Sequence, residues 1–116
     1  MSKYIVRDKS FSFALRVVKL YKYLVDEKRE YILSKQVLRS GTAVGALIRE
    51  AEQGESKADF IHKLAIALKE ANETEYWLDL LFQSGYIEEK SYKSIHADVK
   101  ELIKLLTSII KTSKNN

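Results

Sequence analysis

The fold is decided by residues 34–85, which read SKQVLRSGTAVGALIREAEQGESKADFIHKLAIALKEANETEYWLDLLFQSG. Apolar residues recur every three or four positions on both sides of a short polar break at Gly54–Glu55–Ser56. This spacing is typical of helices that bury one face, because a helix turns once every 3.6 residues. The stretch therefore predicts two antiparallel helices joined by a tight turn.

The turn contains residue types that end one helix and begin the next. Gly54 is predicted in the left-handed position that follows many helices, because glycine has no Cβ to clash there. Ser56 is predicted to be the N-cap of the next helix, and Asp59 completes a variant of the capping box. By the same logic, Ser34 is the predicted N-cap of the first helix and Gly85 ends the second.

The remaining sequence adds one helix before this pair and one after it. Apolar residues in both flanking segments repeat at the same spacing, and the absence of proline favours long helices. Four helices with short connections imply that neighbours alternate in direction. The predicted fold is therefore all-α, an up-down-up-down antiparallel four-helix bundle. We expect one domain over residues 1–116, with helices at about 8–26, 34–53, 57–84 and 88–111.

The first helix carries more apolar surface than one bundle needs. One stripe of residues 11, 14, 18, 21 and 25 has the spacing of a bundle core, and a second stripe runs beside it. The third helix also has apolar residues that point away from its core stripe. Scattered exposed apolar residues are ordinary, but aligned stripes favour a subunit interface. The predicted interface residues are Phe13, Val17, Leu20, Leu24, Ile66, Trp77 and Leu80.

Small and charged residues in the central pair favour structural roles. Gly41 and Gly45 lie in mid-helix, where glycine costs roughly 1 kcal/mol against alanine, so we expect a close helix–helix approach there. Arg39 is expected to pair with glutamates within or between subunits, with Arg49 as a further candidate, because a partly buried carboxylate needs a partner. The residues with predicted structural or capping roles are Ser34, Arg39, Glu50, Gly54, Ser56, Asp59, Glu70, Glu73 and Glu75.

The net charge of +4 comes from 20 basic and 16 acidic residues. The positive excess lies in the first and last helices, and several lysines of the last helix fall within one narrow arc. Such a face favours contact with a phosphate backbone, whereas the alternative interpretation is a solvated helix face. The predicted nucleic-acid-binding residues are Arg16, Lys19, Lys22, Lys93, Lys100, Lys104 and Lys111.

Several functional classes find no support in the sequence. There is no cysteine, no nucleophile–histidine–acid pattern and no glycine-rich phosphate loop. The one carboxylate-x-x-His pair is Asp59–His62, and His96 follows Lys93 at the same spacing, so a di-metal bundle set is incomplete. We therefore expect no enzyme, catalytic residue, metal or cofactor. No signal-peptide or membrane-spanning segment is evident, which favours a soluble cytoplasmic protein without membrane contact.

The central helices resemble the family of 23S rRNA intervening-sequence proteins, which are bacterial four-helix bundles. The matching motifs are Ser34-x-Gln36-x-x-Arg39-Ser40, Ala43–Val44–Gly45, Ile48-x-Glu50, Gly54-x-Ser56, Asp59–Phe60 and the run from Ala67 to Thr74 before Trp77–Leu78. Many members have asparagine where this chain has Leu47. The resemblance implies assembly into ring-shaped homopentamers. It extends to the accessory proteins of diversity-generating retroelements, which bind nucleic acid and a reverse transcriptase.

These observations favour a non-enzymatic, self-associating bundle that binds RNA or DNA or serves as a scaffold, with a possible protein partner. The alternative is a purely protein-binding homo-oligomer whose basic helices only keep it soluble.

Overall fold

The computed structural model describes residues 2–115, with the side chains of residues 5–115. Over this range it contains four helices and no strand: α1 (Ser2–Asp26), α2 (Leu33–Glu52), α3 (Lys57–Gln83) and α4 (Glu89–Lys114). Each helix packs on the next, and α1 also packs on α4, so the helices close a ring around one core. The predicted all-α four-helix bundle is confirmed. Met1 and Asn116, included in the predicted domain, lie outside the described residues.

Both outer helices are longer than predicted. Helix α1 begins at Ser2 instead of residue 8, and α4 continues to Lys114 instead of residue 111. The added turns of α1 have a packing reason, because Val6 is fully buried in the core. The core stripe of α1 therefore begins before the segment that its sequence pattern indicated.

The two apolar stripes of α1 have exchanged roles relative to the prediction. Phe13 is only 1% exposed and lies in the core with Val17 and Leu24, and Leu20 packs against their edge. Phe11, from the stripe assigned to the core, is 52% exposed. The predicted interface role of Phe13, Val17 and Leu24 is therefore wrong, because the chain buries these three residues in its own bundle. The other four candidates are half-buried, and their interface role stays a prediction: Leu20 of α1 and Ile66, Trp77 and Leu80 of α3.

The two glycines of α2 explain this rotation of α1. A Cβ added at Gly41 would lie 2.8 Å from the nearest side-chain carbon of Val17, and one added at Gly45 would lie 3.3 Å from Ser10 Oγ. Helix α1 therefore rests on almost bare backbone of α2, with Val17 facing Gly41. The predicted close approach at both glycines is confirmed.

Replacing Gly41 with alanine should lower the free energy of unfolding by about 1–2 kcal/mol because it overpacks this contact. Alanine gains roughly 1 kcal/mol in helix propensity, but Val17 is fully buried and its β-branched side chain is stiff, so it cannot easily move away from the added Cβ. Urea unfolding measures the difference. Gly45→Ala is the matched control, expected within about 0.5 kcal/mol of the wild type because it meets the smaller Ser10. Equal stability of the two variants would contradict the close α1–α2 approach.

The turn between α2 and α3 confirms the predicted N-cap at Ser56 and shows that the predicted conformation of Gly54 is wrong. The Asp59 N–H donates to Ser56 Oγ at 3.0 Å, so Ser56 is the N-cap of α3, and Asp59 Oδ2 accepts from the Glu55 N–H at 3.4 Å. Gly54 does not adopt the predicted left-handed conformation. Glycine fits this position for a steric reason, because a Cβ there would lie 3.0 Å from the carbonyl oxygen of Ala51.

Gly85 ends α3 as predicted. Its φ angle is +84°, in the left-handed region that glycine enters without a steric penalty. The N–H of Tyr86 donates to the Leu81 carbonyl at 2.9 Å, and the Gly85 N–H donates to the Phe82 carbonyl at 3.0 Å. These two bonds form a Schellman motif, which turns the chain towards α4.

Helix α2 is capped by Glu30 and not by Ser34, which corrects the predicted N-cap. The Glu30 carboxylate accepts from the N–H groups of Ile32, Leu33 and Ser34 at 3.1, 2.9 and 2.6 Å. The Ser34 hydroxyl donates back to the Glu30 carbonyl at 2.8 Å. Burial raises the pKa of Glu30, but these hydrogen bonds more than offset it and hold the pKa below its usual value. One side chain therefore satisfies three of the unpaired donors at this helix start.

Candidate functional site

Helices α1 and α4 carry most of the positive charge and lie side by side. Together they contain twelve basic and five acidic residues, whereas α2 and α3 contain six and seven. Because α1 and α4 are neighbours in the ring, the excess falls on one edge of a bundle that is 47 Å long. The basic edge is thus a property of the fold and not of either helix alone.

Three of the seven predicted nucleic-acid-binding residues are engaged within the chain. Each lies on α1 or α4 and forms an ion pair with an acidic side chain. The pairs are Lys93 with Glu89 at 2.8 Å, Lys100 with Glu75 at 3.6 Å and Arg16 with Asp98, where Arg16 also donates to the Ser94 hydroxyl at 2.9 Å. A phosphate would have to compete with these partners, which makes the three residues weaker candidates.

The other four predicted residues are available to solvent. Lys19, Lys22, Lys104 and Lys111 are exposed, and none of them forms an ion pair within residues 5–115. We call these four lysines the basic face. Two lie on each of the neighbouring helices, and their charges are not neutralised by the chain itself.

A groove of about 360 Å³ separates α1 from α4, and Lys19 is the one residue of the basic face among its lining residues. Its lining residues include the apolar Leu20 and Ile95, the cationic Arg16 and Lys19, and Tyr23. The groove is open to solvent and combines apolar surface with cationic side chains. It makes this edge the most loosely packed contact of the ring.

Arg39 links α2 to α3 through glutamates, as predicted. Its guanidinium pairs with Glu70 at 3.3 Å and with Glu73, and Glu73 also accepts from Trp77 Nε1 at 3.0 Å. The hydrogen bond from Trp77, together with Arg39, holds the pKa of Glu73 below its usual value against the effect of burial. Arg49 was the further candidate for a glutamate partner, but its guanidinium lies 5.4 Å from the centre of a phenylalanine ring.

An apolar patch lies on the outward side of α1 and continues onto α2. Phe11 is 52% exposed and Leu15 is 58% exposed. A second groove, of about 270 Å³, runs beside Phe11 and is lined by Ala14 of α1 and by Gly45 and Ala46 of α2. We call these five residues the outer α1 face. No helix within the described residues is long and apolar enough to cross a membrane.

A histidine and two carboxylates meet between α3 and α4. His96 Nε2 lies 2.9 Å from Glu75 Oε2 and 3.8 Å from Asp79 Oδ1, and the three ligand atoms lie within 4.8 Å of one another. All three side chains are partly buried. We call Glu75, Asp79 and His96 the α3/α4 cluster. The arrangement provides one nitrogen and two oxygen donors that converge on one point.

Tyr92 supports this cluster from α4. Its ring stacks on Phe82 at 4.4 Å between centroids and on His96 at 5.0 Å. Its hydroxyl donates to Asp79 Oδ1 at 2.5 Å. Burial, followed by the hydrogen bond and the negative charge of Asp79, raises the pKa of Tyr92 to about 12. The hydroxyl therefore stays protonated and keeps its donor aimed at Asp79.

Sequence reasoning assigned Glu75 a structural role but missed its convergence with Asp79 and His96. The sequence pattern of a bundle metal site is a carboxylate and a histidine three residues apart on one helix, whereas here the histidine comes from the neighbouring helix. The available signal was the four-residue spacing of Glu75 and Asp79, which places both on one helix face. Only the packing of α4 against α3 brings His96 to that face.

Comparison with known proteins agrees with the fold. A family model described as 23S rRNA-intervening sequence protein matches residues 2–108. A crystal structure of a protein with unknown function from the S23 ribosomal protein family of Bacteroides thetaiotaomicron is 61% identical, with a TM-score of 0.95. That match covers 96% of this chain and 99% of the other. No curated protein matches the chain.

Proposed function

Because this chain belongs to the 23S rRNA-intervening sequence protein family, we propose that it is a non-enzymatic protein that binds a nucleic-acid backbone along α1 and α4. The observation that supports this proposal is the charge distribution. The neighbouring helices α1 and α4 hold a surplus of seven positive charges, and the other two helices have a deficit of one. A polyanion would meet that surplus along a single edge.

The chemistry of the basic face favours phosphate contact without base recognition. Lysine ammonium groups bind phosphate as point charges, and each contact releases a counterion from the nucleic acid. The described side chains of α1 and α4 provide no run of exposed aromatic residues on which bases could stack. We therefore infer affinity that is largely independent of sequence and falls steeply with salt.

The outer α1 face supports self-association as part of the same proposal. Phe11 and Leu15 expose large apolar side chains next to a shallow groove, which is the surface that a second copy would cover. This face replaces the buried residues Phe13, Val17 and Leu24 as the proposed interface of α1. Several copies in one assembly would present several basic edges and would raise the affinity for a long nucleic acid through effective concentration.

The test compares two double variants that remove the same charge from different sides of the bundle. Lys104→Gln/Lys111→Gln removes two cations from α4, and Lys35→Gln/Lys69→Gln removes two exposed cations from α2 and α3. Binding to a labelled single-stranded RNA and to duplex DNA is measured by fluorescence anisotropy between about 50 and 200 mM salt. The α4 variant should lower the slope of log K against log salt by about two.

The control variant should keep the wild-type slope. The wild-type advantage over the α4 variant should then be about tenfold larger at the low-salt end of the range than at the high-salt end. Equal slopes for the two double variants, or no binding to either nucleic acid at low salt, would contradict the proposal. A protein that binds neither polymer but forms a defined oligomer by light scattering would instead fit the alternative, a purely protein-binding scaffold.

A further inference from the structure

We propose that the α3/α4 cluster binds one divalent transition-metal ion of the zinc class, with Glu75, Asp79 and His96 as ligands. This inference is independent of nucleic-acid binding and uses the opposite side of α4 from the α1 contact. It assigns a site that joins two helices through a shared ion.

The distances suit a tetrahedral ion. Zinc binds histidine nitrogen at about 2.0–2.1 Å and carboxylate oxygen at about 2.0–2.2 Å, so two ligands of a tetrahedral site lie about 3.4 Å apart. The distances of 2.9 and 3.8 Å from His96 Nε2 to the two carboxylate oxygens lie on either side of that value. The Glu75 and Asp79 oxygens lie within 4.8 Å of each other, so these two side chains would have to approach by up to about 1.4 Å to seat the ion.

The donor set selects the class of metal. Two carboxylates alone, as on many surface helices, would offer hard oxygen ligands of the kind that bind calcium or magnesium loosely. The imidazole adds a borderline nitrogen ligand, which favours zinc and its neighbours in the first transition row. The partial exposure of all three residues leaves the fourth position to water.

The surrounding residues hold the ligands in place. The stacked rings of Phe82 and Tyr92 fix the plane of the His96 imidazole, and the Tyr92 hydroxyl fixes the Asp79 carboxylate. A carboxylate oxygen has two lone pairs, so Asp79 Oδ1 can accept this hydrogen bond and still face the ion. Such supporting hydrogen bonds orient ligands in metal sites generally.

Two features of the site oppose metal binding, the cation of Lys100 and the proton position on His96. Lys100 Nζ lies 3.6 Å from Glu75 Oε2, and its side chain is half exposed, so it can swing into solvent. His96 must also carry its proton on Nδ1, because a metal takes the lone pair of Nε2. Both adjustments are local. The two carboxylates and one lysine leave a net negative charge that attracts a dication when the imidazole is neutral.

The two histidines of the chain provide a matched pair of variants. His96→Ala removes the proposed nitrogen ligand, and His62→Ala removes the exposed histidine of α3. Tag-free protein is titrated with zinc chloride by calorimetry, and the visible absorption of added cobalt reports the coordination geometry. Wild type and His62→Ala should bind one ion with equal affinity, whereas His96→Ala should bind it about tenfold or more weakly.

Further variants separate a metal site from a structural contact. Asp79→Asn should weaken binding while circular dichroism shows an unchanged helix content, and Lys100→Gln should strengthen it by removing the competing cation. Zinc should raise the melting temperature of wild type and His62→Ala, but not that of His96→Ala. The proposal is overturned if zinc does not bind in stoichiometric amount, or if His96→Ala and His62→Ala bind it equally. Weaker binding by Lys100→Gln would also overturn it.

Discussion

Replacing Phe13 with alanine should lower the free energy of unfolding by about 3–5 kcal/mol. The Phe13 ring is 1% exposed and lies among the largest fully buried side chains of the core. Its removal loses the transfer free energy of the ring and leaves a cavity that the packed helices cannot fully close. Urea unfolding followed by circular dichroism measures this difference, provided that the slope with denaturant is unchanged.

Phe11→Ala is the matched control for this change. Phe11 is two residues away on the same helix and is 52% exposed, so its loss should cost less than about 1 kcal/mol in the isolated subunit. It should instead weaken self-association, which light scattering over a range of concentrations detects. A larger stability loss for Phe11→Ala than for Phe13→Ala would show that α1 is rotated the other way.

Replacing Glu30 with alanine should lower the free energy of unfolding by about 2–3 kcal/mol. The substitution leaves the N–H groups at the start of α2 without their shared acceptor, at a position where Glu30 itself is only 8% exposed. Thermal and urea unfolding at neutral pH measure the loss. Glu27→Ala, in the same connector but exposed, should change stability by less than about 0.5 kcal/mol.

The pH dependence of the Glu30 contribution follows from its lowered pKa. The carboxyl group titrates near 4.5 when unfolded and lower when folded. Its stabilisation is therefore complete above pH 4.5 and is lost as the pH falls through the folded value. The stability difference between wild type and Glu30→Ala should shrink accordingly on acidification. A difference that stays constant from neutral pH to pH 3 would show that the charge of the cap is irrelevant.

Local sequence signals were sufficient for most of the architecture. Four segments of repeated apolar spacing became four helices, and two local punctuation signals, Ser56 and Gly85, act as predicted. The Glu30 cap was missed because an acidic residue four positions before Ser34 also fits a charged loop. Its carboxylate is recognisable as a cap only when the connector bends back over the helix start.

The orientation of α1 could not be read from its own residues. Both stripes have helical spacing, and nothing within α1 states which one faces inward. Which stripe faces inward depends on a contact between residues distant in sequence, where Val17 fits against the bare backbone at Gly41. The α3/α4 cluster could not be predicted for the same reason, because His96 meets Glu75 only through the packing of two helices. In both cases sequence periodicity describes a single helix, whereas the observed arrangement depends on how two helices pack together.

The contact between α1 and α4 is the one closure of the ring that no connecting loop spans, and the groove of about 360 Å³ lies along it. The partial unfolding with the lowest free energy therefore separates α1 from α4 and leaves the other three helix–helix contacts intact. A polyanion that contacts both helices would hold them together. It binds the folded bundle with all of its contacts and loses half of them when α1 and α4 separate. Bound nucleic acid would then slow amide exchange in the first and last helices far more than in the central pair.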